Sequence, residues 1–229
     1  MFKLIIANRN YSSWSLRAWL YLAESHIEFE EIRIALFTGT WQEDIARYSP
    51  GGRVPVLLDD DITVWDSMAI MEYVRERRPD AVGWPEATAA RAHARSVSAE
   101  MHSGFLALRE ELPQNLRARR KVEAGQLSAS CRQQISRIDE IWADCRRQYG
   151  GEGTWLFGDF SIADVMFAPV ALRFETYSIP VSEPSRAFID AICSLESVQL
   201  WIEAARAESE SLSFIDNLVP AQDSPLTLG

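Results

Sequence analysis

Cysteine and histidine are scarce in this chain, and their scarcity narrows its chemistry. Among 229 residues there are three of each. Cys131, Cys145 and Cys193 lie far apart, form neither a C-x-x-C pair nor a Cys/His ligand spacing, and are odd in number, so they read as reduced core thiols. No metal is expected. No apolar run approaches the roughly 20 residues that span a bilayer. Met1 to Ala7 enters a short apolar strand without the basic and apolar regions of a secretory leader, so a cytoplasmic protein is expected. Basic charge is also in short supply: 23 Lys and Arg stand against 33 Asp and Glu, a net charge of −10. That balance disfavours nonspecific binding to nucleic acid or anionic membrane. The basic run Arg117 to Lys121 has no interleaved aromatic residues and reads as a solvated helix end. Small molecules or proteins remain as partners.

What is present divides the chain in two. From Phe2 to about Arg78 the pattern reads β-α-β-α-β-β-α. It comprises a buried strand at Phe2 to Ala7, a helix through Leu16 to Glu24, a strand at Phe29 to Ile34, a short helix at Trp41 to Tyr48, a hairpin of Val54 to Leu58 with Ile62 to Trp65, and a helix opened by Asp66 and Ser67. This order suits a small open sheet with helices on both faces. Arg78 to Pro85 carries two prolines and a glycine and reads as a linker. After it the strand signals fade. Ala90, Ala94, Val97, Met101, Phe105, Leu108 and Leu112 recur at three and four residues, which predicts one long helix ended or kinked at Pro113. Further helices are predicted at Leu127 to Gln148, from Ser161, at Pro184 to Leu195 and at Val198 to Glu208, with a loose tail from Pro220 to Gly229. Ser161 and Asp164 form a capping-box signature, with Phe160 and Val165 at the staple positions. The domains are expected at 1–79 and 86–220.

Three local features carry chemistry. Ser12, Ser13 and Ser15 surround Trp14 just before the first helix, where free N–H groups and the helix dipole favour an anion. A serine there is either an ordinary N-cap or a donor to a bound thiolate, whose thiol pKa such a hydroxyl lowers from about 8.5. Val54-Pro55 opens a strand. Pro55 is either a plain trans proline or a cis proline that turns the Val54 backbone outward toward an extended peptide-like ligand. Asp66-Ser67 opens another helix, where it is a cap or a holder of a carboxylate and an ammonium.

Taken in order, these features resemble the glutathione transferase superfamily. The serine motif, the Val-Pro and the acidic-Ser pair are similar to its thioredoxin-like N-terminal domain, and the helical remainder with the Ser161-Ile162-Ala163-Asp164 box to its all-α C-terminal domain. Ser12-Ser13-Trp14-Ser15-Leu16-Arg17 most resembles the Ser-Ser-Cys-Ser-x-Arg pattern of the zeta class, with Trp14 where that class has cysteine. The substitution removes the thiol that glutaredoxin-like exchange uses. The resemblance implies glutathione as co-substrate and a thiolate stabilised by Ser12, with Ser13 its nearest substitute. It implies that Val54 pairs with the cysteinyl portion beside cis Pro55, and that Asp66 and Ser67 hold the γ-glutamyl end, although the family more often has Glu or Gln at Asp66. Arg53 is either a partner for a glutathione carboxylate or a solvated loop charge.

The resemblance also implies an electrophile held against the helices, with Trp14, Met101 and Phe105 as apolar wall. Arg95, His102 and Arg109 recur at sevens on one predicted face, so His102 and Arg109 either meet a polar substrate or form a solvated face. The expected function is transfer of glutathione to a small electrophile, in a detoxifying homodimer. The alternatives are a zeta-like cis-trans isomerase of maleyl-type acids and a non-catalytic glutathione carrier or interaction protein.

Overall fold

In the computed structural model, which describes residues 1–217, strand β1 (Phe2–Ile6) buries Leu4, Ile5 and Ile6 completely. Successive strand residues face opposite sides of a sheet, so such a run requires cover on both faces. The sheet has the order β2-β1-β3-β4, which places β1 inside it. β1 pairs in parallel with β2 (Phe29–Arg33) and antiparallel with β3 (Val56–Asp59), and β3 pairs antiparallel with β4 (Ile62–Trp65). Helices α1 (Ser13–Glu24), α2 (Trp41–Ala46) and α3 (Ser67–Arg77) complete the β-α-β-α-β-β-α order read from the sequence. The third strand starts at Val56 rather than Val54, because Val54 and Pro55 lie outside its ladder.

The chain forms two compact units, Met1–Gly83 with Glu196–Glu210, and Trp84–Leu195 with the described residues from Ser211. In the first unit, helix α9 (Glu196–Ala207) packs on α1, with Trp19 and Trp201 5.2 Å apart between ring centroids. The Trp201 indole donates to Arg9 O at 3.1 Å.

The second unit is helical: α4 (Thr88–Ser103), α5 (Leu106–Glu111), α6 (Ala129–Cys145), α7 (Ile162–Thr176), α8 (Glu183–Ser194) and α10 (Ser213–Asp216). Helix α7 is buried on nearly every side. Its Phe167 and Phe174, with Phe188 of α8, surround the fully buried Trp142 of α6 at ring separations of 5.0 to 5.9 Å. The capping box forms as the sequence predicts, since the Asp164 carboxylate accepts Ser161 N and Ser161 Oγ, each at 2.8 Å, and Leu156 N at 2.9 Å.

One helix expected from periodicity is two. The apolar stripe from Ala90 to Leu112 is broken at Gly104-Phe105, where Phe105 takes a left-handed conformation at φ 61° and ψ 43°. The break puts Arg109 on α5 and separates it from Arg95 and His102 on α4, so the three do not share a helical face. The tail expected to be loose from Pro220 lies outside the described residues, and the described residues of the second unit end at Asn217.

Candidate functional site

The strand register brings the three polar features to one end of the sheet. Ile5 of β1 pairs with Val56 of β3, and Val56 pairs with Trp65 of β4, giving a row across three strands. One step beyond this row, β1 runs out into the Ala7–Ser12 turn, β3 is preceded by Val54-Pro55, and β4 is followed by Asp66-Ser67. The N-termini of α1 and α3 therefore open at the same end, with their partial positive charges together. An anion is favoured there.

Ser12 is the N-cap of α1 and is partly exposed, whereas Ser13 is buried as the first residue of the helix. The Ser12 hydroxyl oxygen accepts Ser15 N at 3.2 Å and lies 2.8 Å from Ser15 Oγ, which in turn accepts Ala7 N at 2.9 Å. Ser12 is thus the N-cap of α1, one of the two roles that the sequence left open, and it remains partly exposed. Trp14 is partly exposed and packs over Arg17, whose guanidinium carbon is 4.6 Å from the ring centroid. Arg17 is fully buried, a cation inside the first turns of α1.

The Val54-Pro55 peptide bond is cis. Val54 is half-buried and Pro55 is buried, and neither backbone belongs to the β3 ladder. Arg53 is exposed, and its N–H is held by Ser49 Oγ at 3.0 Å. Asp66 caps α3 by accepting Met68 N at 2.8 Å and Ala69 N at 3.3 Å, from a backbone at φ 78° and ψ 135° that non-glycine residues seldom adopt. Such conformations cost about 1–3 kcal/mol and cluster at ligand clamps. Ser67 is fully buried, and its hydroxyl has no hydrogen-bond partner among the described residues.

The remaining candidates lie in the second unit. Met101 and Phe105 are buried, and His102 sits in the last turn of α4. Arg109 donates through Nε to Gly104 O at 3.1 Å and through a terminal nitrogen to Met101 O, so it closes the carbonyl end of α4. Burial lowers its pKa from the usual arginine value.

Sequence reasoning passed over four further residues. Ser15 stands at i+3 from Ser12, the spacing of a capping pattern. Arg173 stood out as a charge inside the apolar run of α7. It is buried, and burial followed by the nearby Arg109 charge lowers its pKa to about 9. Gln114 gave no signal, yet it is 2% exposed and neither end of its amide has a partner among the described residues. Glu208 is distant in sequence, but its carboxylate accepts Arg9 N at 2.7 Å and Asn10 N at 3.1 Å, inside the turn that leads to Ser12.

The chain's own thiols are poor nucleophiles. Burial pushes Cys131 up to about 11, and Cys145 and Cys193 up to about 12. Among the described residues no group of three or more His, Cys, Asp or Glu could hold a metal ion, and no helix is long and apolar enough to cross a membrane.

Comparisons with known proteins bear on the family and the fold. A family model described as the glutathione S-transferase N-terminal domain matches residues 11–77. Maleylacetoacetate isomerase of Rattus norvegicus is 30% identical over 198 residues, covering 84% of this chain and 88% of that protein. A probable maleylacetoacetate isomerase of Caenorhabditis elegans is 25% identical over 174 residues, covering 76% and 79%. Among solved structures, a glutathione transferase homolog from Burkholderia with bound glutathione has a TM-score of 0.68 at 24% identity, covering 90% of this chain and 99% of that one.

Proposed function

Because the chain belongs to the glutathione S-transferase superfamily, we propose that it is a glutathione-dependent transferase in which Ser12 stabilises the glutathione thiolate. The observation that carries this reading is the convergence of Ser12, Val54 and Asp66-Ser67 at one end of the sheet, where two helices also begin. Glutathione has complementary parts. Its thiolate meets the Ser12 hydroxyl at the start of α1, and its cysteinyl backbone meets Val54 beside Pro55. Its γ-glutamyl carboxylate meets the N-terminus of α3, its ammonium meets Asp66, and Arg53 is the cation nearest in sequence to Val54 for the second carboxylate.

Each unit of thiol pKa lowering is worth about 1.4 kcal/mol in favour of the thiolate, so one or two units make the nucleophile abundant at neutral pH. The enzyme then contributes thiolate stabilisation and positioning for attack on a small electrophilic carbon. The raised pKa values of Cys131, Cys145 and Cys193 support a nucleophilic sulfur that arrives with the ligand. Three free cysteines fit a reducing cytosol. A homodimer belongs to the same reading, with the half-exposed Ile62 and Trp65 of β4 as apolar surface for it.

A second reading has its own observation. Arg173 is a buried cation close enough to Arg109 for the two charges to disfavour each other, and Tyr177, one turn along α7, donates to Pro113 O at 2.8 Å beside the Gln114 amide, which has no partner among the described residues. Two neighbouring guanidinium groups favour an acid as second substrate, and hence reversible addition of glutathione to a maleyl-type double bond, a reading in keeping with two relatives named as maleylacetoacetate isomerases.

The test follows thiolate absorbance of bound glutathione against pH in the wild type and in Ser12→Ala, with turnover measured on an aryl halide and on a maleyl acid. The transferase reading expects a lowered thiol pKa that rises in Ser12→Ala and turnover of the aryl halide. Activity confined to maleyl acids selects the isomerase. Glutathione binding without turnover of either leaves a carrier, and absence of binding overturns the reading.

A further inference from the structure

We propose that Ser15 is a positioning residue for Ser12: its buried hydroxyl turns the Ser12 proton outward, toward the sulfur of the bound thiol. The inference rests on the thiolate site proposed above and names a second residue within it. It follows from counting protons around the two hydroxyls.

Ser15 Oγ accepts the Ala7 N–H at 2.9 Å, Ser12 Oγ accepts the Ser15 N–H at 3.2 Å, and the two oxygens are 2.8 Å apart. Only one proton fits between them, and the separation suits either serine as donor. If Ser12 donates, its proton is spent inward and the Ser15 proton is left in a fully buried position with no partner among the described residues. A buried donor left unmade costs about 1–3 kcal/mol. If Ser15 donates, every proton inside the turn is used and the Ser12 proton is the one left over. Ser12 is the more exposed of the two, so that proton points where a ligand can reach it.

An anionic sulfur selects the second arrangement, because only there does it receive a hydrogen bond from Ser12. The relay also strengthens that bond. A hydroxyl whose oxygen already accepts from both the Ser15 N–H and the Ser15 O–H is polarised into a better donor. The anchor of the chain is the Ala7 N–H at the end of β1, so the orientation is set by the sheet and not by a mobile side chain. No proton is transferred: the thiol proton leaves to solvent, and the serines keep theirs.

The experiment is a double-mutant cycle read by the absorbance of bound glutathione thiolate against pH, in the wild type, Ser12→Ala, Ser15→Ala and the double variant, with Ser15→Thr as the hydroxyl-keeping control. Ser15→Ala is expected to raise the bound thiol pKa by at least about half a unit, roughly a threefold loss of thiolate at a fixed pH below it. Ser15→Thr should hold it near the wild-type value. In the Ser12→Ala background the Ser15 change should add nothing, because Ser15 acts through Ser12. Thermal unfolding accompanies each variant, since a merely structural Ser15 lowers the melting temperature without moving the titration. A wild-type titration in Ser15→Ala, or an equal shift with and without Ser12, overturns the Ser15 inference while leaving the thiolate site intact. A wild-type protein whose bound glutathione titrates like free glutathione overturns both.

Discussion

The carboxylate of Glu208 accepts the backbone N–H of Arg9 at 2.7 Å, across 199 positions of sequence. Its second oxygen takes Asn10 N at 3.1 Å, and Arg33 pairs with the first at 3.4 Å, in a side chain only 6% exposed. Arg9 itself pairs with Glu31 and lies over the Trp201 ring, so the turn before Ser12 is held from both its backbone and its side chain. The segment after α9 therefore fixes the geometry of the candidate thiolate site from within the same unit.

Glu208→Ala removes an acceptor from two partly buried N–H groups, and bonds to charged acceptors are worth about 1.5–3 kcal/mol each in full burial and less where water reaches the freed donors. The variant is expected to lose about 2–4 kcal/mol of stability in urea unfolding, with a bound thiol pKa above that of the wild type. Glu208→Gln keeps one acceptor oxygen and should lose about half as much. Unfolding midpoints unchanged in both variants would mean that this clamp is decorative.

Asp164 gives a pH signature. Burial raises its pKa to about 6, against the lowering effect of the bonds from Leu156 and Ser161. In the unfolded chain an aspartate titrates near 3.9, so between about pH 4 and pH 6 the folded state holds a proton that the unfolded state has lost. This group's contribution to stability is therefore fully present below about pH 4 and falls as pH rises through 6. Asp164→Asn does not titrate and offers one acceptor oxygen for donors that now use two. It is expected to be less stable than the wild type throughout, with the gap widest near pH 4 and narrower near pH 7. Urea unfolding of both proteins across that range measures the gap directly. A gap that widens with pH would place the pKa below that of a free aspartate.

Much of the first unit was legible because its signals are local. Three consecutive apolar residues in β1, the alternation in β2, the acidic turn between Val56–Asp59 and Ile62–Trp65, and caps at Ser12 and Asp66 each need only a few neighbours to be read. The helix break at Gly104-Phe105 was not legible, since the apolar spacing runs through it and nothing in the identity of Phe105 announces a positive φ. The roles of Ser15 and Glu208 depend on N–H groups 8 and 199 positions away. Such pairings exist only once the sheet and α9 are in place. Arg109 shows the converse: its spacing from His102 suggested a shared face, and the break turned its guanidinium onto the α4 carbonyls instead.

The same break predicts an asymmetry between two glycines. A Cβ on Gly104 would sit 2.8 Å from Glu100 O, a backbone atom in the last turn of α4, whereas one on Gly125 would meet nothing within 4 Å. Gly104→Ala is expected to destabilise by about 1–3 kcal/mol, as overpacking against fixed atoms does. Gly125→Ala should change stability by less than about 1 kcal/mol, with the sign favouring alanine because it restricts the unfolded chain. Thermal unfolding of the pair decides it, and equal effects would argue against the turn geometry at Gly104.

Asp66 combines a cap, a left-handed φ and the proposed ammonium contact, and three substitutions separate these roles. Asn is as good an N-cap as Asp and carries the same backbone strain at φ 78° and ψ 135°, so Asp66→Asn should unfold within about 0.5 kcal/mol of the wild type. Glycine accepts the backbone without that strain but offers no side-chain oxygen to Met68 N and Ala69 N, so relief of about 1–3 kcal/mol outweighs the few tenths of a kcal/mol lost with the cap, and Asp66→Gly should be no less stable than the wild type. Alanine loses the cap and is strained at this φ, so Asp66→Ala should be the least stable, by about 1–2 kcal/mol. Glutathione affinity follows a different order. All three variants lack the negative charge that would face the ammonium, and losing a charged hydrogen bond weakens binding about tenfold or more. Calorimetric titration of Asp66→Asn is therefore the informative measurement, since its fold is intact while its charge is gone. Wild-type affinity in that variant would reduce Asp66 to a helix cap and leave the γ-glutamyl end to the amides of α3 alone.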